Sequence, residues 1–231
     1  MSGIIKNMSN TCIFCLETAL VEKKIGEKVY SYCASCNGVF LNREFLPGND
    51  DEKRRYEMHQ NSIEDEGYRT YLESFINTFQ AFANIRTILD YGCGPSPALV
   101  QLLENHGYEA RGWDPFFAPD TKGFEDGADL VTCLEVAEHF FNPRKDFALI
   151  SNCVKPGGYL VLGTHPVPLF GEIQDNAERE QKLWNFFVPW WYRQDTTHVS
   201  FFSEKSLVCS GASAGLTLIK HTESNIFIFK K

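Results

Sequence analysis

Three groups of residues carry chemistry by their type and spacing. The first is cysteine: CIFC at 12–15 and CASC at 33–36, with seventeen residues between the pairs. Two residues between cysteines let a tight turn aim both thiolates at one ion. A second such turn completes a tetrahedron with no open position. Cys12, Cys15, Cys33 and Cys36 are therefore the expected ligands of a structural zinc ion. The second group is DYGCG, Asp90 to Gly94, where an apolar run ends in an acid and two glycines stand one residue apart. Such a turn allows a ligand to approach the backbone closely. The third group is histidine, whose pKa suits proton transfer near neutrality. His198 follows Asp195 in DTTHVSFFS, His139 closes EVAEH, His165 follows YLVLGT, and His59 sits in RRYEMHQN. Asp195 and His198 are expected to pair, the carboxylate setting the imidazole tautomer. Each lone histidine also has a structural reading; for His139 it is bracing the adjacent helix.

The glycine turn alone leaves its ligand open. The dinucleotide fingerprint needs a third glycine, and Pro97 stands in that position. No Lys-Ser/Thr pair follows, so the turn is not a triphosphate loop. Twenty residues after Gly94, the run YEARGWD ends in Asp114, an acid placed to accept hydrogen bonds from both hydroxyls of an unphosphorylated ribose. NAD and adenosine ligands both remain compatible.

The elements that must position these groups follow from periodicity. LVEKKIGEKVYSY has hairpin character with Gly26 at the turn, and Pro47-Gly48-Asn49 opens a connecting segment. A short helix there is expected to be capped by Asp50 or Asp51 and to run through Glu57. It is either a solvated helix or a segment that folds Tyr56, His59 and Asn61 over a site. GYRTYLESFINTFQAF repeats apolar residues at helical spacing. ADLVTCLEVAEHF reads as a buried strand entering an acidic turn, and NPRKDFALISNCVKPGGYLVLGTH as helix, turn and strand. Residues at about 165–200 form an expected cap insertion rich in aromatics, Trp184, Phe186, Phe187, Trp190 and Trp191 among them. LTLIKHTESNIFIF closes the chain as two strands.

The 231 residues carry a net charge of −8, and the excess acid lies beyond residue 60. That disfavours a broad phosphate-tracking surface. No run approaches the ~20 apolar residues of a membrane span, and MSGIIKNMSN lacks a secretory apolar core. Cys93, Cys133, Cys153 and Cys209 are scattered singly, which suits a reducing cytoplasm.

Taken in order, LDYGCG, WD, TCLEVAEH and VKPGGYLVLGT resemble the successive motifs of class I S-adenosylmethionine-dependent methyltransferases over residues 66–231. The resemblance implies an α/β, Rossmann-like methyltransferase sheet with an antiparallel terminal hairpin over residues 67–231. A zinc ribbon at 1–45 and a connecting segment at 46–66 would precede it. Asp90, Tyr91, Gly92, Cys93 and Gly94 would pass under the methionine moiety, Asp114 would hold the ribose, and Cys133, Leu134 and Glu135 would line the sulfonium side. Only fourteen residues separate Asp114 from Asp129, so the third strand of that fold must be abbreviated. DTTHVSFFS and RYEMHQNSIEDEGY further resemble cytoplasmic zinc-ribbon methyltransferases, a likeness that brings no acceptor with it. CLEV stands where enzymes of nucleobase exocyclic amines carry an Asn/Asp-Pro-Pro-aromatic motif. The expected function is methyl transfer to a hydroxyl or carbon of a small metabolite. The alternatives are an rRNA base methyltransferase that docks RNA through the ribbon, and a protein-binding module that retains the cofactor.

Overall fold

The computed structural model describes residues 11–58, 62–120, 127–170, 173 and 175–231. His59 and Asn61 lie outside the described residues. The chain begins with a hairpin of β1 (Leu20–Ile25) and β2 (Lys28–Cys33), turned at Gly26 with φ +60°, followed by β3 (Val39–Leu41). Cys12 Sγ lies 3.5 Å from Cys36 Sγ, and Cys15 Sγ 3.6 Å from Cys33 Sγ. All four sulfurs fall within 4.8 Å of one another, and none is in a disulfide.

Helix α1 (Asn49–Glu57) starts earlier than a cap at either acid predicts, with Gly48 in the cap position. The Gly48 carbonyl accepts the N–H groups of Asp51 and Glu52, and no side chain caps the helix. Asp50 and Asp51 are therefore not the cap; they sit in the first turn, where their charge favours the helix dipole. Asp65 does cap α2 (Glu66–Asn77), accepting from the Tyr68 N–H.

The main sheet contains β4 (Thr87–Tyr91), β5 (Glu109–Trp113), β6 (Ala128–Leu134), β7 (Val154–Gly163), β9 (Thr217–His221) and β10 (Ile226–Lys230). Its order is β5-β4-β6-β7-β10-β9. The first four strands run parallel; β10 is antiparallel to both β7 and β9, as the sequence anticipates. Between β5 and β6 the described residues contain only the isolated bridge Asp114–Ala118, in keeping with an abbreviated third strand.

Strand alternation divides the core into two layers. Ile88, Leu130, Val161 and Ile228 pack with Leu72, Phe75, Leu99 and Leu103 of α2 and α3 (Ala98–Asn105). Leu89, Val131, Leu160 and Phe229 face the other way, toward Phe147, Ile150 and Leu207 of α4 (Pro143–Cys153) and α6 (Glu204–Ser213). No described helix is long and apolar enough to cross a membrane.

The cap carries α5 (Asn176–Phe187) and the short strand β8 (Ser200–Phe201). β8 pairs with β3, so the cap supplies the fourth strand of the ribbon's own sheet. Trp184, Phe187 and Phe201 of the cap share one core with Tyr30, Tyr32 and Val39 of the ribbon. Phe14, fully buried and set within the first cysteine pair, packs at 4.9 Å from the Phe202 ring and 5.9 Å from that of Phe40. Ser203 Oγ donates to the Cys36 carbonyl at 2.5 Å. Truncating a buried aromatic at such a junction costs about 3–5 kcal/mol. Phe14→Ala is accordingly expected to lower the melting temperature of the whole protein in one transition, read by circular dichroism. A separate early transition confined to the N-terminal part would contradict the shared core.

Candidate active site

A cavity of about 740 Å³ opens at the carboxyl ends of β4, β5 and β6, where ligands bind in open α/β sheets. Asp90 to Ser96 form its floor, and α1 and the cap turn around Trp191–His198 form its upper wall. At the floor, Gly92 has φ +85°, and a Cβ there would lie 2.5 Å from Val136 Cγ2. Gly94 has φ +66° with open space where its side chain would be. Tyr91 lines the cavity with its ring 4.6 Å from that of Trp113.

Asp114, just past β5, ties the floor together. One carboxylate oxygen accepts the Gly94 N–H at 3.1 Å, and the other accepts those of Phe116 and Phe117 at 2.8 and 3.1 Å. A carboxylate has about four acceptor sites, so capacity for ligand hydroxyls remains. Asp90 is buried and accepts the Thr132 hydroxyl at 2.8 Å. Burial pushes its pKa up to about 6, against the pull of the Thr132 bond. Leu134 and Glu135 line the cavity, and Glu135 holds a left-handed φ of +53°. Its carboxylate accepts the Tyr192 hydroxyl at 3.2 Å. Cys133 departs from its expected role. It is fully buried within β6 and is absent from the cavity wall, because strand alternation points it at the α4–α6 layer.

The histidines divide into two places. His139 and His198 both line the cavity, with rings 4.9 Å apart. The Tyr192 carbonyl, rather than the Asp195 carboxylate, takes His198 Nδ1, although His198 still acts electrostatically on Asp195. His198 Nδ1 lies 2.7 Å from the Tyr192 carbonyl. The Asp195 carboxylate is engaged by the Arg55 guanidinium at 2.6 and 3.0 Å and by the Thr197 N–H and hydroxyl at 3.0 and 2.7 Å. Burial raises the Asp195 pKa, but these bonds outweigh it and hold the group well below the usual carboxylate range. Asp195 thus fastens α1 to the cap. Tyr56 of α1 lines the cavity and packs edge-on to His139 at 5.1 Å. His165 lies in a neighbouring cleft, with Nε2 4.0 Å from Glu135 Oε1. His106 and His221 are hydrogen-bonded elsewhere, to Glu73 and Glu204.

Sequence reasoning missed Glu138. It is 1% exposed, and Oε2 accepts the Thr164 hydroxyl at 3.0 Å. Oε1 has no hydrogen-bond partner among the described residues and stands 4.0 Å from Nε2 of both His139 and His198. Burial, then the nearby charge of Glu135, raises its pKa well above the carboxylate range. Its signal was present in EVAEH, but nothing local announces that His198, sixty residues on, will join it.

Residues 28–221 match the family described as a methyltransferase domain. The chain belongs to that family. No curated protein matches this methyltransferase. Among solved structures it is similar to a Pyrococcus horikoshii protein at 13% identity, covering 78% of this chain and 98% of that one with a TM-score of 0.50. It is also similar to a SAM-dependent methyltransferase from Archaeoglobus fulgidus, at 18% identity over 71% of this chain and 94% of that one, TM-score 0.47. At such identity the first of these shows a common fold and nothing further. Family and fold together make the chain an S-adenosylmethionine-dependent methyltransferase with a Rossmann-like sheet.

The burial of Asp90 has a measurable consequence. An exposed aspartate ionises near 3.8, whereas the folded protein keeps Asp90 protonated up to about 6. Its ionised form is therefore a folding cost that grows as pH rises through that interval. Asp90→Asn, which keeps an acceptor for Thr132, is expected to stabilise the cofactor-free protein by up to about 3 kcal/mol at a pH of about 7.5 and by nothing near pH 4. Thermal melts at the two pH values check this.

Proposed function

We propose that the enzyme transfers a methyl group from S-adenosylmethionine to a hydroxyl or carbon of a small metabolite. The observation that carries this reading is one continuous cavity, which runs from the glycine turn to the buried Glu138–His139–His198 group beneath the cap. The cofactor supplies a strongly electrophilic methyl on a sulfonium, and it has no phosphate. The wall suits those charges: Asp90, Asp114 and Glu135 line the cavity, so a sulfonium and an ammonium would meet acidic side chains.

In this reading Asp90, Tyr91, Gly92, Cys93 and Gly94 cradle the methionine moiety, and Asp114 accepts from the ribose hydroxyls. Leu134 and Glu135 flank the reacting side, while Cys133 supports them from within the sheet. His139 and His198 are the candidates for acting on the acceptor, with His59 kept from the sequence alone. Asp195 positions the cap, and His165 positions Glu135. The cap and α1 exclude water and align the acceptor, which is most of what an in-line displacement requires.

The four cysteines are proposed to hold one zinc ion, with a structural role. A tetrahedral ion with Zn–S bonds of about 2.3 Å places its sulfurs about 3.8 Å apart, close to the separations seen here. Free thiols in such a set suit a reducing compartment such as the cytoplasm. Elemental analysis of reductively purified protein is expected to give about one zinc per chain, and metal-free protein with four titratable thiols in that cluster would remove the assignment.

Calorimetric titration tests the cofactor reading. S-adenosylmethionine and S-adenosylhomocysteine are expected to bind, and NAD is not. Asp114→Ala should weaken both by about a hundredfold, the worth of two hydrogen bonds to a carboxylate. A thermal melt of that variant separates lost contacts from lost folding. Retention of full affinity by Asp114→Ala would refute its ribose role.

A further inference from the structure

Glu138, His139 and His198 have the features of a cation site that is distinct from the four cysteines. Their ligating atoms all lie within 4.8 Å of one another. The His139 side chain is 14% exposed, that of His198 11%, and that of Glu138 1%. Glu138 Oε1 is buried without a hydrogen-bond partner among the described residues, and leaving an acceptor so is costly unless something positive reaches it.

The orientation of the two rings is the second observation. His139 Nδ1 lies 3.0 Å from the Thr197 carbonyl, and His198 Nδ1 2.7 Å from the Tyr192 carbonyl. A carbonyl oxygen only accepts, so both Nδ1 atoms carry the proton. In the neutral rings, Nε2 then presents a lone pair toward Glu138 Oε1, which is 4.0 Å from each. Three electron-rich atoms converge at a separation too long for hydrogen bonds and close to that of atoms sharing an ion. Around an ion with bonds of about 2.1 Å, ligand atoms stand about 3.0–4.2 Å apart, depending on geometry. Outer-shell bonds of the kind that orient metal ligands are already made: Thr164 to Glu138, and a backbone carbonyl to each ring.

We propose that Glu138, His139 and His198 bind one first-row divalent cation, whose remaining positions face the cavity and take the acceptor hydroxyl. Two imidazoles and a carboxylate favour a transition-series ion over magnesium or calcium. Three protein ligands leave at least one position open, and all three residues line the cavity. The second half of this proposal rests on the small-acceptor reading above, and chooses oxygen over carbon as the acceptor atom. A hydroxyl bound to the cation loses its proton to water more readily. The resulting oxygen attacks the sulfonium methyl in line: a C–O bond forms as the C–S bond breaks, and its electron pair stays on sulfur, leaving S-adenosylhomocysteine.

The probe is Mn²⁺, which has little affinity for thiolates and so reports apart from the cysteine cluster. It is added to the full-length protein with its cysteine site loaded as purified, and followed by electron paramagnetic resonance. Wild-type protein is expected to take up about one Mn²⁺ per chain with imidazole nitrogen couplings, and Glu138→Gln and His198→Gln should each weaken it about tenfold or more. Bound Mn²⁺ should also enhance water-proton relaxation, since open positions carry exchangeable water. Failure of the wild type to bind, or binding without nitrogen coupling, overturns the site whether or not the variants fold. Binding without relaxation enhancement overturns the acceptor role and leaves the site. Calorimetry with S-adenosylmethionine is run alongside: its binding without Mn²⁺ uptake defeats the cation proposal alone, whereas loss of cofactor binding defeats the cofactor reading beneath it.

Discussion

One residue joins the ribbon to the chemistry. Val199 donates its N–H to the Glu138 carbonyl at 2.9 Å, and its own carbonyl accepts the Leu41 N–H at 2.8 Å. A single peptide segment is thereby bonded on one side to the turn that carries Glu138 and His139, and on the other to the ribbon strand β3. His198 is the preceding residue, and β8 begins at the next. The position of His198 against Glu138 is therefore set by how the ribbon seats the cap. Backbone pairing of this kind is hard to distort without stranding buried polar groups, so it transmits position well.

This arrangement gives the cysteine cluster a role that its chemistry alone would not. A closed tetrathiolate site has no open position and does no catalysis. Here the four clustered cysteines flank β2 and the turn into β3, within the three-stranded unit whose edge β8 completes. The contact of Ser203 with the Cys36 carbonyl and the packing of Phe14 on Phe202 brace the same junction from the other side. A cap held only by its own loop would let His198 wander. Against a ribbon, its imidazole is confined on one side by the Tyr192 carbonyl and ring and on the other by His139.

A second clamp closes the cavity from above. The Arg55–Asp195 pair joins the connecting segment to the cap across 140 positions of chain. With Arg55 partly exposed and Asp195 mostly buried, its value lies in geometry more than in stability. It brings Tyr56 over His139 and turns what reads as a linker into part of the wall.

The sequence by itself determined whatever depends on local pattern. The strand alternation, the glycine turn, the acid after β5, the paired cysteines and the terminal hairpin were all legible, because each is a feature of neighbouring residues and of backbone periods. Even the short span between Asp114 and Asp129 announced an abbreviated third strand, and the described residues there hold one isolated bridge. Tertiary structure decided which polar groups meet. Asp195 and His198 look like partners at a spacing of three, yet Arg55 claims the carboxylate and a backbone carbonyl takes the ring. Cys133 reads as cavity-facing, and the pleat of β6 turns it inward. Glu138 passed as one more acid in an acidic turn until folding buried it and brought His198 alongside. Pairings of this kind depend on long loops closing around a common core, and no local period encodes them.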